Sequence, residues 1–479
     1  MHDLVTIDPV SRIEGHAKIT IRLGEDGLVS DARFHVTEFR GFEEFCRGRP
    51  VFEMPSLTAR TCGICPVSHL LASAKAGDAI MGVEPPPTAV ALRTLANLGQ
   101  ITQSHALSFF HLSAPDLLLG MDADPAIRNV FGLMGSEPEI ARRGIRLRSY
   151  GQSIIEAIAG RKVHAPGIVP GGVAHPMTAE TRDVIAAGVA EAKETAIGAL
   201  ELYLSIADRF QREIAAFGSF PSLFLAIANR AGTWEHHTGH LKVIDAAGAV
   251  VADNIDPADY RTYLGESTNK DSYLKSPYWK PLVPDSAPVA DGMYRVGPLA
   301  RINMAERMGT PLADEALDAF RETVGGVGLS SFHYHHARLI EILACTERIE
   351  EMIGDPLLTD TRVRAEAGIN RRRAVGVSEA PRGTLFHDYE VDDNGLLTDV
   401  NLIIATGQNN LGMNATVAQI AREWITGATI EESTLNRIEA GIRAYDPCLS
   451  CSTHAIGAMP MVVTLEDAAG HAVCSATRG

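Results

Sequence analysis

Two C-x-x-C pairs stand near opposite ends of this 479-residue chain, Cys62-Gly63-Ile64-Cys65 and Cys448-Leu449-Ser450-Cys451. Each spacing lets two thiolates converge on one ion or one redox bond. For both pairs to serve one site, the fold must bring together segments separated by most of the chain. A histidine follows each pair, His69 and His454. Four thiolates suit a structural zinc, an iron–sulfur cluster or a catalytic metal, and affinity order alone does not choose among these. The alternative is a pair of redox dithiols, which would need a compact βαβ context that neither flank provides. A structural zinc is the plainest of these readings, and its weakness is the spacing, because zinc-binding pairs usually lie within a few tens of residues of each other. Seven cysteines are too few, and odd in number, for a disulfide scaffold of this length. The remaining three, Cys46, Cys345 and Cys474, cannot assemble a second cluster motif.

Charge narrows the partners. Lys plus Arg is 43 against 59 for Asp plus Glu, a net −16, which excludes a nucleic-acid-binding surface. No apolar run reaches the ~18–20 residues of a membrane span. Met1-His2-Asp3-Leu4 lacks the basic start and apolar stretch of a signal peptide, so the cytoplasm is the expected location. A hydrophobic share of 46% and a charged share of 21% fit a globular chain with a large core.

Helical periodicity predicts helices over Thr88–Leu112, Glu137–Ala159, Thr178–Phe217, Ser330–Ile353, Asn414–Ile425 and Glu432–Ala444. Alternating patterns around turn residues predict hairpins over Gly15–Val36, Leu241–Val251 and Gly383–Ile404, the last turning at Asp392-Asp393-Asn394-Gly395. Met461–Cys474 repeats that style. The Pro-, Tyr- and Ser-rich stretch Asp253–Asp291 reads as a long surface excursion. The expected class is α+β and helix-dominated, a long central helix bundle with small peripheral antiparallel sheets. No internal repeat and no low-complexity linker divides the chain.

Several suggestive clusters carry no chemistry. His333, His335 and His336 are spaced for packing, not for one shared face. Glu235-His236-His237 with His240 has its Glu before the first His, the wrong order for a metalloprotease helix. Gly325-Gly326-Val327-Gly328 lacks the third glycine and the preceding strand of a dinucleotide fingerprint, so no NAD site is expected in this chain.

The two cysteine motifs do not stand alone. With Asp8-Pro9-Val10-Ser11-Arg12-Ile13-Glu14-Gly15-His16, Val169-Pro170-Gly171-Gly172 and Glu379-Ala380-Pro381-Arg382-Gly383, they closely resemble the nickel–iron hydrogenase large subunit. The resemblance spans nearly the whole chain. Glu38-Phe39-Arg40-Gly41-Phe42-Glu43 and Cys65-Pro66-Val67-Ser68-His69-Leu70-Leu71 are most similar to the NAD-coupled bidirectional subfamily.

The resemblance implies that Cys62, Cys65, Cys448 and Cys451 bind nickel. Cys65 and Cys451 would bridge to an iron carrying two cyanides and one carbon monoxide. Cys448 becomes the first proton acceptor and Glu14 the proton relay. Arg382 would hang over the open metal position with Asp446 beside it, and His69 would hydrogen-bond near a bridging sulfur. Pro381 and Thr406 would contact the cyanides, while Glu43 and His454 would hold magnesium. Ser104 stands where many relatives carry an Asp, leaving one negative charge fewer near Arg382.

The resemblance further implies cleavage between His454 and Ala455 by a maturation protease, after nickel-insertion chaperones have acted. Residues 1–454 would then be one domain and 455–479 a maturation extension, which uncut would prevent closure of the site. With neither an iron–sulfur cluster nor NAD of its own, the chain needs NAD-binding diaphorase subunits and an iron–sulfur small subunit. Their contact surface is expected near the N-terminal region and the first cysteine motif. The expected activity is reversible H2 oxidation. The alternatives are a relative linked to NADP or another carrier, and a non-catalytic Zn(Cys)4 homologue.

Overall fold

In the computed structural model, residues 4–284, 287–426 and 430–454 are described in full, and the strands at 461–466 and 472–478 by their backbone. Four long helices build the centre: α1 Pro66–Met81, α2 Pro87–Ala106, α3 Pro138–Ala159 and α4 Ala179–Ala207. They are joined later in the chain by α5 Tyr334–Ile353, α6 Asn410–Trp424 and α7 Glu432–Tyr445. α2 packs between α3 and α5, and α4 closes the group against both. The α2–α3 crossing depends on small residues. A Cβ added at Gly151 would lie 2.5 Å from the Gly99 carbonyl oxygen, so only glycine permits this approach.

α4 is the longest helix, as its pattern predicts, and the Thr178 side chain caps it by accepting from the Thr181 N–H at 3.2 Å. α2 does not stop at Ala106. It runs on into π-helical turns over Leu107–Ser113. α6 begins at Asn410, four residues before the predicted start.

Among the described residues, three sheets of three or more strands flank the helices. The first joins β1 Leu4–Ile7, β2 Ala17–Leu23 and β3 Val29–Val36 in antiparallel order. Ala17, Ile19, Ile21 and Leu23 are buried on its inner face, which is the alternation the sequence displays. The second holds β4 Leu223–Ala228, β5 His240–Ile244 and β6 Val250–Ile255, with the two-residue strand Tyr294–Arg295 added in parallel. The third joins β7 Arg373–Ala380, β8 Gly383–Val391 and β9 Leu397–Ile403. The predicted hairpin is β8–β9, and its Asp392 carboxylate accepts from the Asn394 and Leu396 N–H groups in the turn. β7 adds a third strand, packed on α1.

Two segments differ from expectation. α1 is a helix that periodicity does not reveal, because nearly every residue in it is buried. The stretch Asp253–Asp291 is not a pure surface excursion. Its hairpin pairs Leu264–Ser267 with Ser276–Trp279, and Tyr260, Leu264 and Trp279 pack into the core beneath β4–β6. No described helix is long and apolar enough to cross a membrane. The strands 461–466 and 472–478 pair with each other in a sheet of their own, as the pattern there predicts.

Candidate metal centre

The fold closes the distance between the two cysteine pairs. Cys62 follows the turn Ala59–Thr61, and Cys65 caps α1, whose first residue is Pro66. Proline suits that position, where its missing N–H has no intrahelical partner. The positive end of α1 therefore faces the thiols, which favours their ionised form. From α2, Gln100 and Gln103 donate to the Ile64 carbonyl at 2.8 and 2.5 Å and so fix the loop between the first two cysteines.

The second pair lies just beyond α7. Asp446 ends that helix in the left-handed region, with φ 54°, and turns the chain toward Cys448. The Cys448 N–H donates to Thr406 Oγ1 at 3.0 Å. The N-terminal segment completes the clamp. Glu14 accepts the Leu449 N–H on its carbonyl at 3.1 Å and the Ser450 N–H on its carboxylate at 3.0 Å.

All four sulfurs lie within 4.8 Å of one another and are buried. Cys62–Cys448 is 3.0 Å, Cys448–Cys451 3.2 Å, Cys65–Cys451 3.4 Å and Cys65–Cys448 4.0 Å. All are free thiols. Hydrogen bonds from the neighbouring thiols hold Cys62 well below the usual thiol range, while burial pushes Cys448 and Cys451 well above it. A full set of four thiolates thus requires a cation at its centre, and the soft donor set suits a transition metal. His69 Nε2 lies 3.3 Å from the Cys451 sulfur.

Arg382 lies in the two-residue turn between β7 and β8, where Ala380 pairs with Gly383, near enough to Cys448, Cys65 and Cys62 for its charge to interact with theirs. Its Nε donates to the Asp446 carbonyl. Its Nη2 lies 3.0 Å from Asp446 Oδ2, a charge contact more than an aligned hydrogen bond. Its Nη1 donates to Ser104 Oγ at 3.3 Å, so the position that departs from the family pattern does reach this arginine. Burial raises Asp446 from the ordinary carboxylate value despite the guanidinium beside it. Gly297 is needed here: with φ 100°, a Cβ on it would sit 2.7 Å from the Arg382 carbonyl oxygen.

Behind the turn lies an ion cluster that sequence reasoning did not find. Arg301 donates to Glu341, to Glu379 and to the carbonyls of Ala380 and Pro381. Burial would raise Glu341, but Arg301 overrides it and holds the carboxyl at about 2. The cluster pins the Pro381-Arg382 turn from below. Glu379 was a readable signal within its motif. Arg301 and Glu341 sit in segments that carry none.

Glu43 and His454 meet as well. His454 Nε2 is buried without a hydrogen-bond partner and lies 3.6 Å from Glu43 Oε1. The Leu402 N–H donates to that same oxygen at 2.8 Å, and the Glu43 N–H donates to the His454 carbonyl at 3.0 Å. Burial raises the Glu43 carboxyl and lowers the His454 ring to about 4. A neutral imidazole lone pair facing a carboxylate is a pair of donors suited to a small cation. Ala455 lies outside the described residues.

Comparison with known proteins agrees with this geometry. Residues 4–39 match the HoxL-like profile, and residues 40–127 and 237–454 match the nickel-dependent hydrogenase profile. The chain is 40% identical to the NAD-reducing hydrogenase HoxS subunit beta of Cupriavidus necator, across 98% of both chains. It is 41% identical to the matching vhu chain of the F420-non-reducing hydrogenase of Methanococcus voltae, over 87% of this chain and 98% of that one. The crystal structure of an NAD+-reducing [NiFe]-hydrogenase in the H2-reduced state superposes with a TM-score of 0.91 at 45% identity, over 94% of this chain and 99% of that one. A [NiFeSe]-hydrogenase of Dm. baculatum, at 23% identity and a TM-score of 0.73 over 95% of this chain and all of that one, shares the fold.

Proposed function

The chain belongs to the nickel-dependent hydrogenase family, and from that premise we propose that it is the catalytic subunit of an NAD-linked [NiFe] hydrogenase, catalysing H2 ⇌ 2H+ + 2e−. The observation that carries this reading is the gathering of four buried thiols from opposite ends of the chain, within reach of the charge of the buried Arg382. When bound, a nickel–iron centre with two cyanides and one carbon monoxide on the iron supplies heterolytic cleavage of H2 and takes up its electrons.

The chain's own residues do the rest. Cys62, Cys65, Cys448 and Cys451 would hold nickel, and Cys65 and Cys451 would hold the iron as well. The Cys448 sulfur takes the first proton. Glu14, fixed by the N–H groups of Leu449 and Ser450, receives it and passes it outward, as a carboxylate can near its working pH. Arg382 remains charged at every pH and orients a small substrate above the metals. Asp446 balances that charge. Pro381 and Thr406 would contact the cyanides on that iron. Glu43 and His454 take magnesium, which prefers oxygen ligands and retains waters.

The electrons must leave through an iron–sulfur small subunit, reaching NAD on diaphorase subunits in the cytoplasm. Exposed Phe39, Phe45 and Phe52, flanking the first cysteine motif, are the apolar surface this partner would cover. Maturation belongs to the same reading: nickel-insertion chaperones load the site, and a protease then cuts between His454 and Ala455. The deciding experiment is infrared spectroscopy of the purified complex, with nickel and iron assayed on the same sample. One carbonyl band, two cyanide bands and one nickel per chain are expected. Zinc at one per chain without those bands, in cleaved protein, would replace this reading with a structural Zn(Cys)4 site.

A further inference from the structure

A chain of hydrogen bonds leads away from the Cys451 sulfur into the core. His69 Nε2 lies 3.3 Å from Cys451 Sγ, and His69 Nδ1 lies 3.1 Å from His387 Nε2. His387 Nδ1 is 2.6 Å from the Tyr389 hydroxyl, which is 3.0 Å from Ser73 Oγ. Two elements build it. His69 and Ser73 are one turn apart on α1, and His387 and Tyr389 are alternate residues on one face of β8. None of the four side chains is more than 1% exposed.

The chain ends inside the protein, so it is not a proton outlet. What it can do is carry a direction. The His69–His387 contact joins two ring nitrogens and holds one proton between them, so the tautomers of the two rings are coupled. Two arrangements satisfy every link between the sulfur and Tyr389. With a hydrogen on the sulfur, each group donates away from Cys451, ending with Tyr389 donating to Ser73. With a bare, metal-ligated thiolate, every link between the sulfur and Tyr389 reverses, and the Tyr389 proton turns from Ser73 to His387. Tyr389 then donates to His387 Nδ1, His387 Nε2–H donates to His69 Nδ1, and His69 Nε2–H points at the sulfur.

We propose that His387 and Tyr389 are positioning residues for the metal centre, whose hydrogen-bonded chain fixes the His69 tautomer so that Nε2–H is presented to the Cys451 sulfur. The inference rests on the functional reading above, because the reversal requires a ligated thiolate. Hydrogen bonds to a ligating sulfur withdraw charge from it and tune the metal beyond. Losing the bond makes the sulfur a stronger donor and the iron richer in electrons.

The test is the carbonyl stretching band of the iron in the holoenzyme, recorded on protein matched for nickel content. Wild-type enzyme must first show one carbonyl and two cyanide bands. Their absence would count against the functional reading, not against this chain. His387→Leu removes the donor to His69 Nδ1 and frees its tautomer, and the carbonyl band is expected at lower wavenumber than in wild type. Tyr389→Phe is expected to move it the same way by less. His387→Gln, whose amide can still donate to His69, is expected to restore the band toward the wild-type position. An unmoved band in His387→Leu, or equal shifts in the Leu and Gln variants, would overturn the proposal. If the His387 variants fail to load nickel, Tyr389→Phe decides alone: a band at the wild-type position rejects the assignment.

Discussion

Glu14 shows how little of a residue's role is visible from its type. In the sequence it is an acidic side chain next to a strand, and only the surrounding Arg-Ile-Glu-Gly-His suggests more. In the structure its main chain and its side chain both accept from the second cysteine loop, so the carboxylate is held beside Cys448. Glu14→Gln preserves the shape and the ability to accept those N–H groups but cannot carry a proton. We expect turnover to fall about 10²–10⁴-fold, the usual worth of a positioned proton-transfer group, with the infrared bands and nickel content unchanged. Turnover within threefold of wild type would remove Glu14 from the relay. Other site residues were legible for the same reason: Cys62, Cys65, Arg382, Asp446 and Thr406 all sit in compact motifs. Arg301, Glu341 and His387 were not legible. Each is a single polar residue in an ordinary stretch, and only tertiary packing brings it near the site.

At the scale of elements, periodicity found helices that expose a face or an end and missed α1, which exposes neither. Its Ala, Ser and Gly residues lie against β7 on one side and against the first cysteine loop at its start. A helix buried all round gives no amphipathic signal. The helix Pro311–Val324 was missed despite readable ends, Pro311 at its first position and Gly325 beyond its last in the left-handed region. The α1–β7 contact has a sharp test. A Cβ at Gly376 would sit 1.9 Å from the Ala72 carbonyl oxygen and 2.4 Å from the Ala76 nitrogen, both backbone atoms that cannot give way cheaply. Gly376→Ala should cost ~3 kcal/mol, at the upper end for overpacking. It should also reduce nickel loading, since α1 carries Cys65 and β7 leads to Arg382. Gly135→Ala, in a helix where nothing lies within 4 Å, is the control and should be neutral or slightly stabilising. Equal thermal midpoints for the two variants would contradict the packing argument.

For the whole molecule, the acidic composition argues against a basic binding surface, but it does not foretell how many ionisable groups the core holds. Away from the metal site, burial lowers His105, His236 and His333 to about 4 and His335 and His336 to about 3. His336 lies between Tyr203 and the edge of Phe320, with ring centroids 5.2 and 5.1 Å away. Each of these rings is neutral when folded, whereas in the unfolded chain it binds a proton below about pH 6.5. Falling pH therefore favours the unfolded state. The stability these groups permit is complete above the unfolded value and is lost progressively as pH falls toward the folded one. The fold should weaken steeply from pH 6.5 downward, and carboxylates such as Glu341, held low, add to the loss only at more acid pH. His336→Phe keeps an aromatic ring in the same slot and removes one titrating group. At pH 7.5 its thermal midpoint should match or exceed that of the parent chain. Between pH 6 and 5 its stability should fall less steeply, by ~1.4 kcal/mol per pH unit, the linkage of a single proton. Parallel pH profiles for the two proteins would show that this histidine stays protonated, or finds water, inside the fold.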